Sequence, residues 1–407
     1  MVEIRGSVEP GFEQVRDAFA DNFERHGDVG AAVTVYVDGR PVVDLTGGVT
    51  TSDTPYDDDT LQLVFSSTKG ATALCANLLV QRGLLDVDAP VTDYWPEFGV
   101  EGKDRVPVSW LLCHKSGLID TTRRLTLDEA LDWDTVVGAL AESTPVWEPG
   151  TQHGYHAVTY GWLVGELVRR VSGRSIGEFF AEEVAGPLGL DFWIGLPDDQ
   201  IGRVSKLISM GVPDGLGLPT AAPDTAGTTA GALEAEAAPA PGLIDMLDLL
   251  LGPDNLAGRA LAAPGGAMRD QDAWNEPRTW QAQIPAANGV TNARSLARMY
   301  AACIGEVDGT RLLDPATVDA AIEPRTEGPD AVLMFPIPFG LGFMRHSDFS
   351  PFLGGRSFGH YGAGGSVGFA DPDRGVSFGY VMNQMHFGLA GDPRTAALIA
   401  AVDACVD

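Results

Sequence analysis

The chain has 407 residues, with 27 Lys and Arg against 56 Asp and Glu, and so a formal net charge of −29. A field of that sign repels nucleic acid and anionic lipid, so neither is an expected partner. A hydrophobic fraction of 44% is that of a globular chain with a sizeable core; it excludes intrinsic disorder, and no apolar run reaches the length of a membrane span.

Met1–Gly6 carries no basic stretch leading into an apolar core, which predicts no secretory signal. Cys75, Cys113, Cys303 and Cys405 lie far apart with no C-x-x-C pair, a pattern that predicts reduced thiols in a cytoplasmic protein rather than disulfides or zinc.

Phe12, Val15, Phe19 and Phe23 recur at helical spacing until Gly27, predicting an amphipathic helix. Ala31–Val37 and Pro41–Leu45, joined by Asp38-Gly39, predict a β-hairpin. A mainly helical region follows, with helices expected over Lys69–Arg82, near Val108–His114 and over Val158–Val171. Thr220–Gly242 is rich in Ala, Pro, Gly and Thr and predicts a long surface loop that shapes access to a pocket. Thr291 or Asn292 is placed to cap a helix reading ARSLARMYAACI. Gly365–Ala370, the turn Asp371–Gly375 and Val376–Met382 predict a second hairpin, and Ala396–Cys405 a closing helix. Strands at both ends with helices between them predict an α+β fold, in which both termini build one antiparallel sheet and a helical domain is inserted. The expected division is 1–75 with 290–407, and 76–289 as the insertion.

Three stretches carry candidate chemistry. Leu63–Gly70 reads LVFSSTKG, where Ser or Thr could simply cap the following helix. Ser66 and Lys69 are three apart, however, and at a helix start share one face. A serine hydroxyl needs a group to take its proton, and a desolvated lysine can serve; the Ser66 N–H is also a candidate oxyanion donor. Trp147–Trp162 is a Pro/Gly loop that reaches Tyr155 just before a helix, a place where a tyrosine commonly only packs. Phe358–Phe369 (FGHYGAGGSVGF) is dense in glycine, which permits close approach of a ligand or another backbone, or a bulge. Ser357 and Ser366 each match G-x-S-x-G, but that motif needs a strand–turn–helix setting, whereas strand is expected after both. His153 and His156 stand in a loop without a metal-ligand pattern, and His114 reads as a helix-end residue.

In order and spacing, SSTKG, PGTQHGYHAVTYGWLVGELV and GHYGAGGSVGFADP resemble the serine β-lactamase and penicillin-binding protein superfamily, class C-like and most similar to the family VIII carboxylesterases. VSWLLCHKSGL adds to the likeness, which spans nearly the whole chain. The resemblance implies Ser66 as nucleophile, Lys69 as its proton acceptor or the tuner of its base, and Tyr155 as the group that passes protons to and from the leaving alcohol. It implies an oxyanion hole from the backbone N–H groups of Ser66 and Ala363, with His360, Tyr361 and Gly362 contacting substrate. Where the superfamily pattern has Tyr-x-Asn, this chain has Tyr155-His156-Ala157; where it has Lys-Thr-Gly, His360-Tyr361-Gly362. With those changes, the expectation is a serine hydrolase of short-chain carboxylic esters acting through an acyl-enzyme, with no cofactor and no metal. A D-amino acid amidase or peptidase, a β-lactamase and an acyltransferase are the alternatives; a non-enzymatic penicillin-recognising scaffold would have no need of the complete Ser–Lys–Tyr set. The partner is a small-molecule ester, and association of identical copies is left open.

Overall fold

The computed structural model describes residues 2–209 and 243–406; the segment Thr220–Gly242, expected as a surface loop, lies outside the described residues. Eleven strands are described: β1 (Ile4–Val8), β2 (Gly30–Val37), β3 (Arg40–Gly48), β4 (Leu61–Leu63), β5 (Phe192–Trp193), β6 (Val204–Ser205), β7 (Val290–Thr291), β8 (Met344–Arg345), β9 (Phe358–Tyr361), β10 (Val367–Asp371) and β11 (Val376–Met382). Seven of them form one sheet in the order β1-β3-β2-β11-β10-β9-β8, with every neighbouring pair antiparallel. The two expected hairpins meet at its centre, where β2 pairs with β11 from Ala31↔Met382 to Val37↔Val376. The fold is therefore α+β, one antiparallel sheet built from both ends of the chain with a mainly helical region between them.

Alternate residues of β11 show how the sheet is covered. Ser377 donates from Oγ to the Ala297 carbonyl, and a Cβ on Gly379 or Gly368 would fall within 3.0 Å of the helix Ala293–Ile304, so these two glycines let that helix lie against the strands. Tyr380 points the other way, where its hydroxyl donates to Asp28 beneath the paired helices Glu13–Arg25 and Pro393–Asp403. With both faces covered, every residue of β11 is buried.

The structure departs from sequence expectation at element ends and in short strands. The closing helix starts at Pro393 rather than Ala396, because Asp392 caps it through the Arg394 N–H and proline suits a first helical position. The second hairpin begins at Val367, because Gly364 has φ +86° and belongs with Ala363 and Gly365 to a tight turn. A four-stranded sheet, β5-β7-β4-β6, has strands of two or three residues, too short to show an alternation.

Arg394 ties that turn to the core. Its guanidinium is fully buried, and all its N–H groups find oxygen: Asp392 Oδ1 at 3.0 Å and Oδ2 at 2.7 Å, Asp28 Oδ1 at 2.8 Å, the Gln384 carbonyl at 2.8 Å and the Gly364 carbonyl at 2.6 Å. Removing the cation strands two buried carboxylates. We expect Arg394→Gln to lose about 3–5 kcal/mol of stability, read as a lowered urea midpoint with an unchanged slope.

Candidate active site

The strand β4 runs into a short 3₁₀ turn, Phe65–Ser67, which opens the helix Thr68–Gln81. Phe65 takes φ +42°, a left-handed conformation costly for a bulky residue, and its ring packs edge-on against Trp274 at 5.2 Å. Of residues 61–79, Ser66 alone is not buried. The capping account of the three hydroxyls fails. Ser67 makes no side-chain cap bond; its Oγ lies 3.2 Å from Ser366 Oγ and 3.3 Å from the His360 carbonyl, while Thr68 Oγ1 donates back to the Phe65 carbonyl.

Lys69 is completely buried in the first turn of the helix. Its Nζ lies 3.0 Å from Ser66 Oγ, 2.6 Å from the Ala157 carbonyl and 3.0 Å from the Ala286 carbonyl. Burial drives the amine well below its ordinary value of 10.5, and no carboxylate opposes that shift. A neutral amine has two N–H groups and one lone pair. With the N–H groups spent on the two carbonyls, the lone pair is left for the Ser66 hydroxyl.

Tyr155 completes the cluster. Its phenol faces Ser66, and Lys69 Nζ sits 4.8 Å from its ring centroid. Burial raises the phenol above its ordinary value of 10, more than the Ser66 hydroxyl lowers it, and the Asp330 carboxylate adds to the rise. Phe339 and His360 stack on the ring at 6.2 and 5.9 Å, and His114 lies 5.2 Å away. Sequence reading assigned His114 only to a helix end, yet it is buried at the back of the site. The one local signal was its place after a helix-terminal Cys113, and it adopts φ +63°.

On the sheet side, the chain leaving β9 passes so close to the Ser66 turn that a Cβ on Gly362 would meet the Val64 carbonyl at 2.2 Å and Ser67 Oγ at 3.1 Å. This approach brings Ala363 to the cleft that Ser66 borders. Ser66 and Ala363 both stand in first turns of 3₁₀ segments, where N–H groups lack intrahelical acceptors. The cleft has apolar walls from Phe65, Val158, Leu261, Trp274, Met385 and Leu389, and no charged side chain among the described residues lines it.

His360 stacks on Tyr155 but is neutral: burial, reinforced by nearby Lys69, pushes it down to about 3 although Nδ1 lies 2.6 Å from the Tyr361 carbonyl. Its Nε2 is buried without a partner. Tyr361 corrects an expectation. Adjacent residues of a strand point to opposite faces, so its ring stacks on Phe352 at 5.2 Å and its hydroxyl donates to the Pro351 carbonyl, away from the cleft. Gly362 has no room for a side chain where the strand meets the Ser66 turn. His156 takes up the space after Tyr155, bonding Ser116 Oγ through Nε2 and the Gly154 carbonyl through Nδ1. The serines of the two G-x-S-x-G matches are occupied structurally: Ser366 donates to the Val64 carbonyl and Ser357 to Asp371.

Comparison with known families matches residues 15–402 to the β-lactamase family. The chain belongs to that family. Among β-lactamase-family relatives, it is 35% identical over 391 residues to the esterase/β-lactamase LipL of Mycobacterium tuberculosis, covering 94% of this chain and 83% of that one. A crystal structure of a family VIII carboxylesterase superposes with a TM-score of 0.82 at 34% identity, covering 99% of this chain and 100% of the other. A penicillin-binding protein homologue from Caulobacter crescentus gives 0.82 at 36% identity with the same coverage. This β-lactamase-family protein is a hydrolase of the esterase/β-lactamase type.

The buried amine makes a prediction about stability. Between its lowered folded value and 10.5, Lys69 binds fewer protons in the folded protein than in the unfolded chain. Stability carried by this residue therefore rises with pH across that window, by up to about 1.4 kcal/mol per pH unit. Lys69→Met removes the titration. The stability of the unaltered protein minus that of Lys69→Met should climb as pH rises toward about 10 in urea unfolding; a flat difference would mean that the folded amine is charged.

Proposed function

We propose that this protein is a serine carboxylesterase that cleaves short-chain carboxylic esters through an acyl-enzyme on Ser66. The observation that carries the reading is the placement of Lys69, with two backbone carbonyls on its N–H groups and Ser66 Oγ at its remaining position. In this mechanism the Lys69 lone pair takes the Ser66 proton as Oγ attacks the ester carbonyl carbon. The N–H groups of Ser66 and Ala363 stabilise the oxyanion. Tyr155, a neutral phenol facing Ser66, delivers a proton to the departing alkoxide and is reprotonated from Lys69. Water then attacks the acyl carbon, its proton passes back along the same groups, and Ser66 is released with the carboxylic acid.

The polarity of the site supports esters over β-lactams. A β-lactam presents a carboxylate, for which a cation on the late strand would be the natural partner. Here that position is held by neutral His360, the walls of the cleft are apolar, and Ala157 brings no side-chain amide. Of the relatives' names, the family VIII carboxylesterase favours the same reading, while the esterase/β-lactamase is compatible with either substrate class. We also place the protein in the cytoplasm, a reducing setting in keeping with four free thiols.

Ser66→Ala should lower kcat by roughly four to six powers of ten and abolish labelling by a fluorophosphonate ester. An adduct mapped by mass spectrometry to Ser357 or Ser366 would overturn the assignment. For substrate class, kcat/KM for p-nitrophenyl butyrate should exceed that for nitrocefin by at least roughly a hundredfold, about 2.7 kcal/mol of transition-state binding. Equal values at neutral pH would instead make the protein a β-lactamase.

A further inference from the structure

Behind Tyr155, on the far side from Ser66, the segment 329–336 folds back on itself. Pro329 bridges Pro336, the Asp330 N–H donates to the Phe335 carbonyl at 2.9 Å, and the Met334 N–H returns to the Asp330 carbonyl at 2.8 Å. The neck of this loop clamps the tyrosine segment. Ala331 donates to the His153 carbonyl at 2.9 Å, and Gly154 has no room for a Cβ, which would meet Trp147 at 2.6 Å and Val332 at 2.9 Å.

Asp330 is the centre of the clamp. It is 1% exposed, and one carboxylate oxygen, Oδ1, gathers three backbone N–H groups: Val332 at 2.9 Å and Leu333 at 2.8 Å from its own loop, and Tyr155 at 3.0 Å from across the chain. The other oxygen, Oδ2, is buried with no hydrogen-bond partner. Capping of its own turn would explain the first two bonds. It does not explain the third, which joins a residue 175 positions away to the backbone of the tyrosine that faces Ser66. Phe339 and His360 hold the faces of the Tyr155 ring, while its backbone is set from two sides: the Gly154 and His156 N–H groups bond His114 at 3.0 and 3.2 Å, and the Tyr155 N–H itself bonds Asp330.

We propose that Asp330 is a positioning residue for proton transfer, holding Tyr155 in register with Ser66 through the acceptor Oδ1 rather than through its charge. This rests on the role given to Tyr155 above. Displacements of about 1 Å at a reacting group cost on the order of a hundredfold in rate, and that is the size of effect at stake.

The test uses Asp330→Ser, Asp330→Ala and Asp330→Asn with p-nitrophenyl butyrate, with thermal midpoints recorded. Serine can still cap its own turn, so the loop folds, but its hydroxyl is too short to reach the Tyr155 N–H. Asparagine keeps the acceptor and removes the charge. Asp330→Ser and any folded Asp330→Ala should lose about a hundredfold in kcat with KM changed less than about threefold. Asp330→Asn should restore kcat to within about threefold of the unaltered protein. Full activity in Asp330→Ser, or an Asp330→Asn as slow as Asp330→Ser, would overturn the proposal. Tyr155→Phe, assayed alongside, separates the two claims. An inactive Tyr155→Phe with a fully active Asp330→Ser refutes only the clamp, whereas an active Tyr155→Phe refutes the role of Tyr155 itself.

Discussion

The arrangement of this protein turns on one primary amine held out of water. Lys69 would be charged at neutral pH in solution, and nothing in its surroundings offers a compensating carboxylate. It is instead bracketed by two peptide carbonyls, one from the residue after the His156 position and one from the turn before β7. Those carbonyls belong to segments more than a hundred residues apart in the chain, so the amine can be buried and neutral only when the inserted helical region has closed against the helix Thr68–Gln81. Folding and the burial of the amine beside Ser66 are in this sense a single event, and the desolvation that weakens the lysine as a cation leaves its lone pair facing the serine hydroxyl.

The other half of the site is delivered by the sheet. β9 and the turn after it must come within contact of the Val64–Ser67 backbone, and that is possible only because position 362 has no side chain. Holding the turn there requires its backbone to be tied down from behind, which Arg394 does by binding the Gly364 carbonyl from the first turn of the last helix. Its counter-charges come from Asp28, between the first helix and β2, and from Asp392, so both ends of the chain converge behind the Ala363–Gly365 turn. The sheet that closes the fold is thus also the frame that sets Ala363 opposite Ser66.

What surrounds the reactive groups is polar in composition and electrically quiet. Three histidines lie near Tyr155, and burial leaves each uncharged: His156 and His360 are pushed down to about 3, and His114 is lowered as well. A strongly acidic protein thereby keeps a neutral pocket. The described residues around the cleft offer a ligand apolar contact rather than an ionic partner.

The sequence by itself determined the elements that are long or sharply marked. The first helix, the two central hairpins and the helix capped by Asn292 follow from local periodicity and turn chemistry, and those forces act within a few residues. The pairing of Ser66 with Lys69 was equally legible, because three-residue spacing at a helix start brings side chains together without help from elsewhere. The likeness of three motifs in order located Tyr155, His360 and Ala363. Only the tertiary structure decided what each of these residues does. Strand alternation turned Tyr361 away while leaving His360 against Tyr155, and long-range burial made a lysine and three histidines neutral. The carbonyls of Ala157 and Ala286, the clamp of Asp330 and the cage around Arg394 are backbone and through-space contacts between distant segments. No local pattern encodes them, since a peptide carbonyl looks the same in every sequence and its partner is chosen only when the chain has closed.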